Sequence, residues 1–140
     1  MPVAPKDVIF AIIRGELETV QQALNQGMNP NITEKGLETG GNNTALMWAA
    51  AEGHLEIAQL LLAQGADVNI QNSSSYSALM FAVESDRRNI VNLFLDHKAD
   101  ITVRNPYGET PLMIMARQGQ TDIVQRLLSL GAEVDATNKI

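Results

Sequence analysis

The sequence predicts an all-α fold, a single solenoid domain over residues 1–140 built from four stacked helix–turn–helix units. Three observations lead there. Segments 12–31, 50–69, 83–102 and 116–135 align without gaps, and their ruler residues Gly27, Gly65, Lys98 and Gly131 are spaced by 38, 33 and 33 positions. Within each segment the apolar residues return with helical period. Around them stand residues that start and stop helices. A 33-residue period with one five-residue insertion implies units that bury their apolar faces only by stacking. The units are placed at about 6–33, 39–71, 72–104 and 105–137, with the insertion at about 34–38.

Each unit opens with a short apolar helix: Val8–Ile13, Ala45–Ala51, Ala78–Val83 and Pro111–Ala116. Thr44, Ser77 and Thr110 stand where an N-cap hydroxyl is wanted, and Pro111 takes the first helical position, where its missing N–H costs nothing. Gly15, Gly53 and Gly119 are placed to end that helix with a left-handed residue, and Gly65 and Gly131 to end the next. The second helix of the first unit, Glu16–Gln26, is polar enough to face water. Later second helices carry an apolar stripe: Leu55, Ala58, Leu61 and Leu62, then Ile90, Leu93 and Phe94, then Ile123, Leu127 and Leu128. An extended return rich in Asn, Asp, Gly and Ser completes each unit.

Ten basic against sixteen acidic residues give a net charge of −6, with the deficit concentrated in residues 1–70, which carry three basic and eight acidic groups. That balance argues against a nucleic-acid backbone or an anionic membrane as ligand, since both need a basic footprint. The chain has no cysteine, which excludes disulfides, thiolate nucleophiles and Cys-based metal sites. No signal-peptide pattern and no apolar run of membrane-spanning length is visible, so a cytoplasmic location is expected. His54 and His97 are the two histidines, and no metalloprotease, nucleophile-elbow, dinucleotide or phosphate-loop motif is present. No catalytic residue, metal ligand or cofactor is expected, and the chain reads as a non-enzyme.

The segment Thr44-Ala-Leu-Met-Trp-Ala-Ala-Ala-Glu-Gly-His-Leu-Glu-Ile-Ala-Gln-Leu-Leu-Leu-Ala-Gln-Gly-Ala-Asp-Val-Asn69 resembles an ankyrin repeat. So does Asn105-Pro-Tyr-Gly-Glu-Thr-Pro-Leu112 with Gly131-Ala-Glu-Val-Asp135, and the likeness extends over nearly the whole chain. It implies an ankyrin-type α-solenoid with β-turn fingers. Two departures stand out. Met47, Met80 and Met113 occupy the position where the family carries a turn-linking histidine, and a thioether donates no hydrogen bond. Asp86 and Lys98 replace the family's glycines in the third unit, which is therefore expected to be the least stable.

The resemblance implies protein–protein recognition through a concave face made of fingers and first helices. Carried over position by position, that face holds Arg14, Asn43, Trp48, Glu52, Tyr76, Glu84, Arg104, Tyr107, Glu109 and Arg117, with Gly40, Gly41 and Pro106 among their neighbours. Tyr76 and Tyr107 are the two tyrosines of the chain, and both fall in finger turns. Large amphipathic rings of this kind carry much of the energy at interfaces, although each ring also has a neighbouring finger to pack on. Phe10, Trp48, Phe81 and Ile114 recur at one helical position and read mainly as core, with Trp48 the exception most open to a partner. The insertion brings Glu34, Lys35 and Glu38 to the first finger.

Mixed charge on this face (Arg14, Arg104 and Arg117 against Glu52, Glu84 and Glu109) suits a protein or peptide of alternating charge. Alternatively the chain is a regulatory or targeting module of a larger protein, or it self-assembles through the apolar fourth unit. There Ile114, Met115, Leu127, Leu128 and Leu130 remain as apolar as an inner repeat, and Thr137-Asn138-Lys139-Ile140 reads like the start of another turn. The bulk of Met115 offers a simpler plug for that end.

Overall fold

A computed structural model describes residues 4–34 and 41–133. Lys35, Glu38, Gly40 and the tail from Thr137 to Ile140 lie outside the described residues. Among the described residues eight helices follow in pairs: α1 (Pro5–Arg14) with α2 (Leu17–Asn25), α3 (Ala45–Glu52) with α4 (Leu55–Ala63), α5 (Ala78–Glu84) with α6 (Arg88–Asp96), and α7 (Pro111–Arg117) with α8 (Thr121–Ser129). The odd-numbered helices touch one another in sequence order and form one layer; α2, α4 and α6 form the other. No strand occurs among the described residues, only an isolated antiparallel bridge between Thr33 and Thr44 at the base of the first finger.

The expected caps are in place. The hydroxyls of Thr44, Ser77 and Thr110 accept from the backbone N–H of Met47, Met80 and Met113. Met47 makes a use of its sulfur that donor-based reasoning overlooks: its Sδ accepts from the Thr44 N–H at 3.3 Å and closes the cap reciprocally. Gly15 and Gly53 hold φ of 79° and 78°, and a second constraint comes from outside the helix. A Cβ at Gly15 would lie 2.8 Å from the His54 ring, and one at Gly53 would lie 2.8 Å from the Arg87 guanidinium, because each side chain reaches back over the preceding unit. Asp86 and Lys98 do take left-handed backbone, with φ of 52° and 62°.

The core runs between the two layers as one continuous cluster. Ile12, Leu46, Leu79 and Met115 from the odd-numbered helices meet Val20, Leu61, Phe94 and Leu127 from the even ones, all fully buried. Two expectations need correction. The stripe Phe10, Trp48, Phe81 and Ile114 is not uniformly core: Ile114 is buried, Trp48 and Phe81 are half-buried, and Phe10 is 45% exposed. The neighbouring Ile9 turns inward in place of Phe10. In the fourth unit Ile114, Met115 and Leu127 are covered, whereas Leu128 and Leu130 remain 40% and 50% exposed, so the α8 stripe stops one residue short.

Candidate functional site

Fingers have little regular structure, so their shape depends on side chains that stand in for missing backbone partners. Asn72 and Asn105, one 33-residue period apart, do this in the last two fingers. The Asn72 amide oxygen accepts from the N–H groups of Ser74 and Tyr76, and Asn105 from those of Tyr107 and Glu109, each at about 3 Å. Their amide nitrogens then point outward to the neighbouring unit. Asn72 donates to Asn43 at 2.6 Å, and Asn105 donates to Glu84 at 2.9 Å and to Glu109 at 3.1 Å. The backbone adds a tie between fingers, from the Ser73 N–H to the Gly41 carbonyl at 3.0 Å. The link between turns that histidine provides in the resembled family is thus carried here by asparagine.

At the insertion Glu34 turns inward and is 2% exposed. Its Oε1 accepts from the Asn43 backbone N–H and from the Asn43 amide, and its Oε2 accepts from the Trp48 indole at 2.9 Å. Three donors satisfy this carboxylate, which makes its burial tolerable. Glu34 therefore fixes both the first finger and the half-buried Trp48.

The third and fourth fingers share a longer polar chain. The Tyr76 hydroxyl donates to Glu84 Oε1 at 3.1 Å, the same oxygen that takes the Asn105 amide. Glu109 in turn pairs with Arg117. The Tyr76 ring packs on Phe81 with centroids 5.2 Å apart at 51°. Burial, reinforced by the Glu84 carboxylate, pushes the Tyr76 phenol up to about 12. The Arg117 hydrogen bond, helped by Asn105, holds the Glu109 carboxyl below its ordinary range. Arg104 donates to the Gly108 carbonyl at 2.6 Å and braces the finger that carries Tyr107.

The residues singled out from sequence thus fall into distinct settings. Tyr76, Glu84, Glu109 and Arg117 join one network through Asn105; Asn43 and Trp48 meet at Glu34. Arg14 is exposed at the end of α1 and pairs with Glu16, and Glu52 is exposed at the end of α3, so neither joins the networks. The two tyrosines differ sharply: Tyr76 is half-buried and bonded, while Tyr107 is 65% exposed at a finger tip. Sequence reasoning passed over Asn72 and Asn105, although their 33-residue spacing was a signal. The inward turn of Glu34 had no such signal, because the insertion falls outside the repeat register.

Among the described residues no group of three or more His, Cys, Asp and Glu could hold a metal ion, and no helix is long and apolar enough to cross a membrane. A family model described as ankyrin repeats (3 copies) matches residues 8–105 and 70–138. A protein named as a probable E3 ubiquitin-protein ligase of Oryza sativa subsp. japonica is 61% identical over 33 residues. That stretch covers 24% of this chain and 6% of the relative, so the chain spans only a small part of that protein's length. With a family model covering most of its length and the paired-helix architecture that the repeat period predicts, the chain belongs to the ankyrin-repeat family.

Proposed function

We propose that the chain is a non-catalytic recognition module that binds a protein or peptide along its concave face. The observation that carries this reading is Tyr107, an aromatic side chain left 65% exposed on a finger that Arg104 and Asn105 hold rigid. A rigid base under an exposed amphipathic ring lowers the entropy lost on binding. Beside it, Glu84, Glu109 and Arg117 offer both signs of charge, and Asn43, Trp48, Glu52 and Arg14 continue the face toward the first unit. Tyr76 acts in this scheme mainly as a support. The repeat boundaries at about 6–33, 39–71, 72–104 and 105–137 are part of the same reading.

The test is affinity capture with the wild-type chain beside Tyr107→Ala and a separate Glu84→Arg, Arg117→Glu variant, each first shown to retain helicity and melting temperature. A ligand held by the wild type and lost by both folded variants supports the concave face. A ligand held equally by all three refutes it.

A second reading has a specific observation in its favour. The matched stretch makes up 6% of the rice relative, so such a repeat also occurs within a far larger protein. This chain would then serve as the targeting part of a longer polypeptide, with any catalysis elsewhere in it. Sequencing the transcript beyond Ile140 decides between the two. Self-assembly through the exposed Leu128 and Leu130 is checked by sedimentation over a concentration series.

A further inference from the structure

The second face of the stack is not uniform. Between α2 and α4 runs an open groove of about 590 Å³ whose apolar lining includes Leu17, Leu60 and Ala63. Glu18 on α2 and Glu56 on α4 stand on its two sides, both exposed, and no basic residue lines it. This is also the half of the chain that holds most of the net negative charge, because it carries few basic residues.

The last pair of outer helices shows how the same kind of groove is filled. Two 33-residue periods after Leu60 the chain has Arg126. From α8 its side chain reaches across to α6, where the guanidinium donates to the Asn92 carbonyl and amide oxygen at 3.2 and 3.1 Å and pairs with Asp96. A basic side chain with an apolar stem is thus this chain's own way of closing an inter-repeat groove against acceptors on its rim. The α2–α4 groove has the acceptors and the apolar floor and lacks the cation.

We propose that the α2–α4 groove docks a helical segment of a partner protein that presents apolar side chains one turn apart, flanked by lysine or arginine. Leucine-sized side chains fill the floor over Leu17 and Leu60, as an amphipathic helix does in an apolar groove. The flanking cations meet Glu18 and Glu56, replacing in trans what Arg126 supplies in cis. This surface lies on the layer opposite the fingers, so the chain would hold two partners at once.

The probe is a synthetic peptide of about 15 residues, long enough for partial helicity, with leucines at i, i+3, i+4 and i+7 and lysines at both ends. It is titrated into the isotope-labelled 140-residue chain and read by amide chemical shifts. The expected result is shifts at α2 and α4, affinity weakened about tenfold or more by Leu60→Arg and by Glu18→Lys with Glu56→Lys, and no change with Tyr107→Ala. Leu60→Arg copies the natural arrangement at Arg126; should it unfold the chain, the doubly charge-reversed variant, altered only at exposed positions, decides alone. Absence of shifts at α2 and α4, or equal binding of a counterpart with glutamate for lysine, overturns the proposal. Concentration-dependent dimerisation abolished by Leu60→Arg would overturn it too, by making a second copy the occupant.

Discussion

The Trp48 indole N–H donates to the carboxylate of Glu34, a residue fourteen positions earlier in the insertion that interrupts the repeat period. The first finger and the α3 helix are therefore joined by a side chain that belongs to neither repeat. The insertion acts as a strut, and its one described inward carboxylate does the holding.

Glu34→Ala should destabilise the chain by about 2 kcal/mol, because three donors lose a buried, charged acceptor. Glu34→Gln should cost somewhat less, since one oxygen remains to accept while the new amide faces donors. Trp48 is the single tryptophan, so urea unfolding followed by its fluorescence reports directly on this site. The native emission should shift to the red in both variants. Unchanged emission would mean that the indole is held by packing alone.

Left-handed backbone at a side chain that has a Cβ is costly unless something offsets it. Lys98→Gly should stabilise the chain by about 1 kcal/mol and raise Tm by about 2–4 °C. Asp86→Gly should do much less, because the Asp86 carboxylate accepts from Gln120 at 3.1 Å and that bond would be lost. Thermal melts of the two variants side by side test the difference. Equal gains would show that the Gln120 bond contributes nothing.

Alkaline pH should release the Tyr76 clamp. Its phenol sits at about 12, above the ordinary 10.0, first through burial and then through Glu84. A raised pKa favours the protonated form in the folded state. The contribution to stability is therefore whole below about pH 10 and is lost as pH rises through the folded-state value. In a Tyr107→Phe background ultraviolet titration reads Tyr76 alone, and adding Glu84→Gln should bring its midpoint part of the way back down.

Acid acts on the other end of the same chain of bonds. The Arg117 hydrogen bond, then that from Asn105, holds the Glu109 carboxyl low, so its contribution is present above the ordinary carboxylate range and is lost as pH falls through the depressed value. Urea midpoints measured from neutral pH down to about pH 2.5 should fall less steeply in Glu109→Gln than in the wild type. Parallel acid limbs in the two proteins would count against the Arg117 pairing in solution.

The helices were legible because their signals are local. Thr44, Ser77, Thr110 and Pro111 mark starts, Gly15 and Gly53 mark stops, and the 33-residue period says which stretches must stack. Asp86 and Lys98 stand where the resembled family has glycine, which raised left-handed backbone there only as a condition, and their φ of 52° and 62° meets it. The finger face was legible only as a set of positions. Which tyrosine would be bonded and which exposed depends on Glu84, on the helix beyond the finger, and on where Asn105 sends its amide. Phe10 was misjudged because a shared repeat position was taken as a shared environment; Ile9 takes the inward place beside it. Glu34 was out of reach for another reason, since an insertion has no homologous position in the other units to be compared with.

His54, Arg87 and Gln120 occupy one position in successive units and all reach backward, to the Ile13 carbonyl, the Ala51 carbonyl and the Asp86 carboxylate. The stack is therefore polar in the way a filament is, and its modules are not interchangeable. Recombining the fourth unit directly behind the second would set Gln120 over Gly53, where no carboxylate waits. Moving the third unit to follow the first would set Arg87 over Gly15 and the Ile13 carbonyl, the same kind of neighbours it already has in Gly53 and the Ala51 carbonyl. Shuffled arrays built from these segments would therefore keep some joints and lose others, even though every helix in them was native.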